Sequence, residues 1–396
     1  MKYTIEQLVD IIDGDRGKNY PKQNEFLDKG YCLFLNTGNV TAEGFSFETN
    51  QFITEEKDRS LNKGKLQRGD IVYTTRGTVG NAAFYSNAVP YENIRINSGM
   101  VIFRCDDEVI NNSFLYQILK SAHYRHYFKS FCTGTAQPQL PIKNLKNITV
   151  NIPARIKQDR IANCLSAYDD LIENNQKQIK LLEEAAQRLY KEWFVDLRFP
   201  GHEDVQIVDS VPEGWRKVTL SEISDVIMGQ SPKSEFYNKD KEGLPFHQGV
   251  GSYGNRFVKD DTYSTSYTRI AEAESILFSV RAPVGRLNIT KNKIVIGRGL
   301  SAINHKEHLQ SFLFYLLKER YFKEDMVGNG SIFASISKNE LLGQEFIVPS
   351  SSLQRKFDSI ASSIDRQIDN LDTKISLLTE ARDRLLPKLM SGEIEL

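Results

Sequence analysis

The chain carries one sequence pattern twice, at positions 196 residues apart. The clearest copies are 175–197 and 371–393, which share the pattern Leu-Leu-x-Glu-Ala-x-x-Arg-Leu, starting at Leu181 and at Leu377. A repeat of this length predicts that the chain folds as two similar halves. Two similar modules on one chain favour a two-part binding event, because the covalent link makes the second contact intramolecular.

Each copy contains a long helical segment whose apolar positions alternate four and three residues apart. A period of 3.5 residues sustained over more than four heptads is typical of a coiled-coil seam. Each helix is expected to cover roughly 33 residues, or about 50 Å. The seam positions selected as partner contacts are Ile161, Leu165, Ile172, Asn175, Ile179, Leu182, Leu189 and Trp193 in the first helix, and Phe357, Ile364, Ile368, Leu371, Ile375, Leu378 and Leu385 in the second.

The simplest partner for each helix is the other one, because both lie on the same chain. The polar Asn175 in this apolar row is expected to fix the register of the pair at some cost in stability. The alternative is two separate amphipathic helices that each pack on their own globular domain. The narrow apolar stripe favours the paired helices.

The segments before the two helices are mixed in character. β-branched and aromatic runs bounded by Gly, Asn and Pro predict strands within 29–36, 69–77, 98–104, 275–281 and 293–297. One helical stretch follows in each segment, at 113–128 and 311–326, and then a polar loop. We therefore predict an α+β chain of two similar mixed α/β domains and two long helices. The predicted boundaries are 1–154 for the first domain, 155–197 for the central helix, 198–212 for a linker, 213–350 for the second domain and 351–396 for the C-terminal helix.

Composition excludes several classes of protein. The chain has 396 residues, enough for two to four domains, and its 40% apolar and 26% charged content is typical of a soluble globular protein. It has no apolar run of about 18 residues and no signal-peptide pattern at its start. Cys32, Cys105, Cys132 and Cys164 are scattered without a C-x-x-C pair, which favours a reducing, cytoplasmic location.

The net charge of zero at first argues against a nucleic-acid partner, but the distribution of charge is uneven. The segments 1–154 and 213–350 each carry 18 Lys and Arg against 16 Asp and Glu, so the globular parts are slightly basic. Denser basic stretches run from Lys57 to Arg76 and from Arg256 to Arg298. Such stretches indicate either a cationic face or an ordinary solvated surface of mixed charge.

The sequence offers no catalytic site. It has no Walker A pattern, no Gly-x-Ser-x-Gly elbow and no Asp/Asn-Pro-Pro-aromatic tetrapeptide, and its paired histidines lack a third metal ligand. Gly249-x-Gly251-x-x-Gly254 matches the dinucleotide fingerprint by letter but precedes no helical pattern. We predict no catalytic residue, no metal and no cofactor for this chain.

The remaining candidates are polar side chains suited to base edges. Arg76-Gly-Thr-Val-Gly80 and Arg281-Ala-Pro-Val-Gly285 repeat one R-x-x-V-G element, and an arginine beside a glycine turn can grip guanine O6 and N7. The alternatives are a buried arginine paired with a carboxylate and, for loop Gln and Ser, simple solvation. The predicted DNA contacts, to bases and to phosphates, are Lys63, Lys65, Thr75, Arg76, Thr78, Gln137, Gln139, Gln248, Arg256, Lys259, Arg281, Arg286, Arg298, Asn329 and Ser331.

Several motifs together resemble the specificity (S) subunit of type I restriction–modification systems, and the resemblance covers essentially the whole chain. The second half departs from the first in having Arg281-Ala282-Pro283 where the first has Arg76-Gly77-Thr78. The motifs are Gly69-Asp-Ile-Val-x-Thr-Thr-Arg-Gly-Thr-Val-Gly80, Leu33-Phe-Leu-Asn-Thr-Gly-Asn-Val40, Lys191-Glu-Trp-Phe-Val-Asp-Leu-Arg-Phe-Pro-Gly201, Pro212-Glu-Gly-Trp215 and Leu385-Leu-Pro-Lys-Leu-Met-Ser-Gly-Glu393.

The resemblance implies a division of labour. Two target recognition domains each read half of a split DNA sequence, and the two helices form an antiparallel coiled coil that sets the spacing. The helices also dock two modification subunits, which methylate adenine with S-adenosylmethionine, and two restriction subunits can join to cleave DNA with ATP and Mg. The S subunit itself is not catalytic.

The residues support the same geometry. A helix of about 50 Å spans roughly 14–15 base pairs, and the near-zero net charge predicts weak DNA affinity for the isolated chain. Two other interpretations compete with a DNA-reading adaptor. A stand-alone methyltransferase requires a cofactor motif, and a coiled-coil scaffold without a nucleic-acid role requires that Arg76→Ala change nothing.

Overall fold

The computed structural model describes residues 1–134, 137–209, 211–321 and 335–396. The chain divides into two compact units. The first unit comprises Met1–Asn175 and Thr373–Leu396, and the second comprises Gln176–Asp372. Each unit therefore contains one globular part and one segment of each long helix.

Elements of the first globular part are short and mostly strands. Three-residue 3-10 turns lie at Ile5–Gln7, Gln23–Glu25 and Thr37–Asn39. The strands are β1 (Lys2–Thr4), β2 (Val9–Asp13), β3 (Cys32–Leu35), β4 (Phe52–Ile53), β5 (Ile71–Thr74), β6 (Ala82–Phe84), β7 (Ile94–Ile96), β8 (Met100–Cys105) and β9 (Thr149–Asn151). The helices are α1 (Glu55–Ser60), α2 (Asn112–Lys120), α3 (Ala122–Lys129), α4 (Ile142–Asn147) and α5 (Arg155–Phe194), the last of which continues into the second unit.

Two sheets and a pair of helices form the core of the first unit. One sheet is antiparallel with the order β2-β8-β5-β6, and the other has the order β4-β3-β7 with β3 and β7 parallel. Alternate residues of β5 face opposite sides, as the two-residue period of a strand requires. Ile71 and Tyr73 join the cluster under α2 and α3, whereas Val72 packs toward the second sheet.

The second globular part repeats this set of elements, with further 3-10 turns at His202–Asp204, Ser234–Phe236 and Val250–Ser252. Its strands are β10 (Ile207–Val208), β11 (Val211–Pro212), β12 (Arg216–Thr219), β13 (Ser224–Met228), β14 (Tyr237–Asn238), β15 (Leu244–His247), β16 (Tyr263–Ser264), β17 (Ile270–Ala271), β18 (Ile276–Ser279), β19 (Leu287–Ile289), β20 (Ile294–Ile296), β21 (Leu300–His305) and β22 (Glu345–Val348). Its helices are α6 (Leu220–Ile223), α7 (Gln310–Tyr321), α8 (Lys338–Leu342) and α9 (Ser351–Ser391).

The sheet order of the second unit matches the first. The antiparallel sheet β13-β21-β18-β19 corresponds to β2-β8-β5-β6, and β15 pairs in parallel with β20 as β3 pairs with β7. Ile276 and Phe278 of β18 face the cluster around α7, whereas Leu277 faces the other side. The repeat seen in the helical sequences therefore extends to the globular parts.

The helical stretch predicted at 113–128 is two helices rather than one. Ser121 has an extended backbone, and its hydroxyl accepts a hydrogen bond from the Tyr124 amide at 3.3 Å, which caps α3. The counterpart α7 is continuous from Gln310 to Tyr321, and the rest of its predicted stretch lies outside the described residues. The difference arises because a serine cap interrupts an apolar pattern that continues on both sides.

In each unit a segment of α5 runs antiparallel to a segment of α9. In the first unit, Ile161 and Leu165 share a core with Leu386 and Leu389. In the second unit, Tyr190 and Trp193 pack on Phe357, with ring centroids 5.6 and 6.0 Å apart. The globular parts pack on the same helix segments, so both packing modes considered from the sequence occur.

All the predicted seam positions are buried or partly buried, as a helix–helix seam requires. Asn175 is buried at 9% exposure. The buried members are Ile161, Leu165, Ile172, Asn175, Trp193, Phe357, Ile368 and Leu371, and the half-buried members are Ile179, Leu182, Leu189, Ile364, Ile375, Leu378 and Leu385.

One carboxylate in each helix holds the globular part in place. Asp169 of α5 accepts hydrogen bonds from Gln117 and Lys120 of α2 at 2.5 and 3.0 Å. Asp365 of α9 accepts a hydrogen bond at 2.6 Å from Ser311 of α7, and a second at 3.0 Å from a tyrosine of α7. The two aspartates are 196 residues apart, so the repeat preserves this attachment.

Among the helices that the structure describes, none has both the length and the apolar character needed to cross a membrane.

Candidate nucleic-acid interface

In each unit, a set of loops meets at one end of the four-stranded sheet. In the first unit, β2 and β5 end and β8 begins at this end, because Thr74 lies opposite Met100 and Asp13 lies opposite Val101. The parallel strands β3 and β7 also end together in the adjacent sheet. Loop cluster 1 denotes residues 13–16, 36–38, 75–78, 97–99 and 137–139. Loop cluster 2 denotes the corresponding residues 229–231, 248–249, 280–285, 297–299 and Ser335.

The first R-x-x-V-G element forms a fixed turn after β5. The amides of Thr75 and Arg76 both donate to the Gly99 carbonyl, at 2.9 and 3.1 Å, and the Leu140 amide donates to the Thr75 carbonyl at 2.9 Å. Gly77 has a φ of 69°, which a glycine adopts without strain. The turn therefore holds the backbone of Arg76 in place while the side chain stays exposed.

The second R-x-x-V-G element forms a turn after β18 that is anchored by corresponding hydrogen bonds. The Val280 amide donates to the Gly299 carbonyl at 2.9 Å, and the Ser279 hydroxyl donates to the Pro283 carbonyl at 2.6 Å. Arg281 pairs with Ser335 through an isolated bridge, as Arg76 pairs with Gln139 in the first unit. The repeat therefore places the two arginines at equivalent points of the two loop clusters.

Both arginines are available to a ligand. The side chains of Arg76 and Arg281 are exposed, and neither forms an ion pair with a carboxylate within the part of the chain that the structure describes. The alternative of a buried arginine paired with a carboxylate is therefore wrong for both. An exposed guanidinium on a fixed turn suits either guanine or phosphate.

Gln248 belongs to a second rigid feature of loop cluster 2. Its side-chain oxygen accepts a hydrogen bond from the Ser231 hydroxyl at 2.8 Å, and the Arg298 amide donates to the same Ser231 oxygen at 3.2 Å. A Cβ added at Gly297 would lie 2.9 Å from both the Cα and the side-chain oxygen of Gln248. The turns that carry Gln248 and Arg298 are in direct contact, and for this reason only glycine fits at this position.

Most of the predicted DNA contacts lie on the surface of their unit. Asn329 and Ser331 lie outside the described residues. The exposed side chains are Lys63, Arg76, Thr78, Gln137, Gln139, Gln248, Lys259, Arg281, Arg286 and Arg298. Of these, Arg76, Thr78, Gln137 and Gln139 lie in loop cluster 1, and Gln248, Arg281 and Arg298 lie in loop cluster 2.

The structure contradicts the prediction that Arg256 contacts phosphate. Its side chain is 3% exposed, and its guanidinium hydrogen-bonds the Asp365 carboxylate and lies 3.6 Å from Glu183. Burial opposes the charge of Arg256, but Tyr315, Asp365 and Glu183 together raise its pKa above the ordinary value. Arg256 therefore ties the second globular part to the helix segments of its own unit.

Two further predicted contacts have structural partners instead. The Lys65 ammonium is 2.6 Å from Asp58, which also binds the buried guanidinium of Arg95. Burial opposes the negative charge of Asp58, but these two cations hold its pKa below the usual range. The hydroxyl of the buried Thr75 donates to the Gly99 carbonyl at 3.1 Å. Lys65 and Thr75 thus stabilise the first unit and are not free to bind DNA.

Sequence reasoning missed several residues beside loop cluster 2. An open groove of about 810 Å³ borders the cluster, and its lining includes Gln230 of the cluster together with Tyr267, Arg269 and Lys338. Arg269 falls within the basic stretch from Arg256 to Arg298, and no sequence motif marks the other three. The Thr268 hydroxyl, which donates to the Gln230 carbonyl, joins the groove to the cluster.

Comparisons with known proteins agree with this architecture. The family model described as type I restriction modification DNA specificity domain matches residues 1–184 and 212–380. A putative type I restriction enzyme MjaX specificity subunit from Methanocaldococcus jannaschii is 28% identical, over 99% of this chain and 93% of the relative. The HindI specificity subunit of Haemophilus influenzae is 25% identical, over 96% of this chain and 98% of the relative.

A solved structure gives the same fold. The S subunit of a type I restriction–modification system from M. genitalium matches with a TM-score of 0.59 and 20% identity, over 98% of this chain and 95% of that chain. The family model falls on both halves of the chain, in agreement with the duplicated sheets and the duplicated R-x-x-V-G turns. The chain belongs to the family of type I restriction–modification DNA specificity subunits.

Proposed function

We propose that this chain reads a bipartite DNA sequence, with loop cluster 1 contacting one half-site and loop cluster 2 the other. The observation that carries this proposal is the repeated turn with an exposed arginine at the same place in each unit, which forms no ion pair with any carboxylate among the described residues. A guanidinium fork matches guanine O6 and N7, and each good bidentate contact discriminates between bases by about 1–3 kcal/mol. Base choice would therefore rest on Arg76 and Arg281 together with their loop neighbours.

Binding strength would come from other residues. Lys63 in the first unit and Lys259 in the second are exposed cations outside the two loop clusters. Lysines of this kind contact phosphates, which adds affinity without sequence information and makes binding sensitive to salt. With a net charge of zero, the isolated chain is expected to bind DNA weakly.

The partners would supply the chemistry. Helices α5 and α9 would set the spacing between the half-sites and dock two modification subunits that methylate adenine. Two restriction subunits would join the same assembly and cleave DNA. S-adenosylmethionine, ATP and Mg would belong to those partners, and the chain itself would hold no cofactor. All four cysteines are free thiols, which suits a cytoplasmic assembly.

A methylome tests this function directly. The chain is co-expressed with its cognate modification subunit in a host without DNA methylation, and N6-methyladenine is mapped by sequencing. A split motif that disappears when this chain is omitted is the expected result. Methylation at an undivided motif, or the same motif without this chain, would contradict the proposal.

The proposed role of the helices has its own test. Inserting about four residues near Gln176 in α5 lengthens one helix by roughly 6 Å. The expected result is a longer spacer between two unchanged half-sites. An unchanged spacer in an active complex would rule out the helices as the determinant of spacing.

A further inference from the structure

The tip of loop cluster 2 is an arginine on a turn that is held by hydrogen bonds on both sides. Three successive amides of this turn are hydrogen-bonded: Gly297 to the His247 carbonyl at 2.8 Å, Arg298 to the Ser231 hydroxyl at 3.2 Å and Gly299 to the Gln248 carbonyl at 3.2 Å. The flanking glycines are buried, whereas Arg298 is exposed. The backbone thus presents a single side chain between two glycines.

The glycines are required by close backbone contact. A Cβ at Gly299 would lie 2.6 Å from the Gln248 carbonyl oxygen, and one at Gly297 would lie 2.9 Å from the Gln248 Cα. Contacts below 3 Å between such atoms force the backbone to move. The turn is therefore held on both sides, so the backbone position from which the Arg298 side chain extends is fixed.

The side chain of Arg298 is exposed. Within the described ranges no carboxylate forms an ion pair with it. Gln248 lies on the adjacent turn with its side-chain oxygen held by Ser231, so its amide nitrogen remains to donate. The Gln248 side-chain amide and the Arg298 guanidinium therefore extend from adjacent turns, where they can donate hydrogen bonds to the edges of neighbouring bases.

The first unit builds the same turn without the arginine. Asn97, Ser98 and Gly99 follow β7 as Gly297, Arg298 and Gly299 follow β20. The Asn97 amide donates to the Leu35 carbonyl at 3.0 Å, and the Gly99 amide donates to the Asn97 side-chain oxygen at 2.9 Å. A serine at this tip has no fork to offer guanine.

We propose that Arg298 selects a guanine in the half-site read by the second unit, and that the first unit imposes no such requirement through Ser98. This inference rests on the proposed function. A base contact is favoured over a phosphate contact, because the turn of Arg298 is hydrogen-bonded to the turns that carry Gln248 and Ser231, within loop cluster 2. A bidentate guanine contact at this point would be preorganised, since folding has already fixed the turn.

The test compares methylomes of four complexes: wild type, Arg298→Ala, Arg298→Lys and the control Arg216→Ala. Arg216 is also exposed but lies on β12, outside both loop clusters. Arg298→Ala is expected to relax one guanine of one half-site, with discrimination falling about 5- to 150-fold. Arg298→Lys keeps the charge but loses the fork, so it is expected to relax the same position, and the control is expected to keep the wild-type motif.

Other outcomes separate the explanations. Equal loss of methylation at all sequences in Arg298→Ala, with full activity in Arg298→Lys, would indicate a phosphate contact and overturn the inference. An unchanged motif in both variants would also overturn it. If the wild type gave no split motif, the proposed function would fail and this inference with it. Matching melting temperatures of the four chains confirm that folding is not the cause, and Arg298→Lys decides alone if the alanine variant is unstable.

Discussion

Loop cluster 1 and loop cluster 2 share a backbone plan and differ in the side chains that it presents. Both place an arginine on the turn after the central strand, and both anchor that turn to the Gly99 or Gly299 carbonyl. Beyond this frame they diverge: Arg16 in cluster 1 is 3.1 Å from Asp13, whereas Arg298 in cluster 2 has no described carboxylate partner. The comparison shows that the backbone of the loop cluster can be duplicated while the side chains that it presents are replaced one at a time.

The interiors of the two units differ in a similar way. In the first, Arg95 of β7 is buried and bonded to Asp58. In the second, the equivalent position of β20 is the uncharged Val295, which is fully buried. At this position the first unit buries an arginine that forms an ion pair, whereas the second unit buries a valine. The second unit instead buries its arginine, Arg256, against the helix segments.

Removing that arginine should produce the largest effect on stability. Arg256→Ala leaves the Asp365 carboxylate without its cation, and breaking a buried pair from one side costs about 3–5 kcal/mol. The matched variant is Arg382→Ala in the first unit, where Asp169 keeps Lys120 and Gln117 as partners. We expect a clearly smaller loss there, about 1–2 kcal/mol.

Denaturant unfolding measures both losses. Trp193 and Trp215 both lie in the second unit, so tryptophan fluorescence reports its unfolding, whereas circular dichroism reports both units. If Arg256→Ala lowered the free energy of unfolding by less than about 1 kcal/mol, Arg256 would not stabilise the second unit. The prediction that it contacts phosphate would then stand again.

Next in size is the effect of the two equivalent arginines on base choice. Arg76→Ala and Arg281→Ala are each expected to relax one position of their own half-site, with a loss of about 1–3 kcal/mol in discrimination. The other half-site serves as the internal control in each methylome. Relaxation of the same half by both variants would break the assignment of one loop cluster to each half-site.

The exposed lysines should change affinity rather than sequence. Lys63→Ala and Lys259→Ala are expected to weaken binding of the assembled complex to all DNA sequences equally, and to reduce the slope of log K against log salt by about one. Lys65→Ala is the matched control, because its ammonium is bonded to Asp58. It should leave the slope unchanged and destabilise the first unit, and a reduced slope would show that Lys65 does reach phosphate.

The features that could be predicted from the sequence are those whose interacting residues lie close together along the chain. The 3.5-residue period and the strand runs are local patterns, so they predicted the long helices α5 and α9, the strands β3, β5, β8, β18 and β20, and the two R-x-x-V-G arginines. The role of Arg256 depends on Asp365, 109 positions away. The link from Ser231 to Arg298 spans 67 positions. No local pattern marks such pairs, and for this reason the buried arginine was mistaken for a surface contact.

The smallest difference expected between the units is their response to acid. In the first unit, Lys65 and Arg95 hold the pKa of Asp58 low against the opposing effect of burial. The stability that this carboxylate contributes is present above its ordinary pKa near 4 and is lost as pH falls toward the lowered value. In the second unit, burial raises the pKa of Asp358 despite hydrogen bonds from two α7 amides. Its folded form takes up a proton at higher pH than the unfolded chain, so acid favours folding there.

Acid should therefore unfold the first unit before the second. In a titration from neutral pH toward pH 3, circular dichroism is expected to change at a higher pH than tryptophan fluorescence, since both tryptophans lie in the second unit. Asp358→Asn keeps this position uncharged at every pH, so it should raise the stability of the second unit near neutral pH and leave its acid midpoint almost unchanged, because Asp358 is already protonated in acid. If fluorescence changed first in the wild type, the two cations around Asp58 would not be what sets the acid response of the chain.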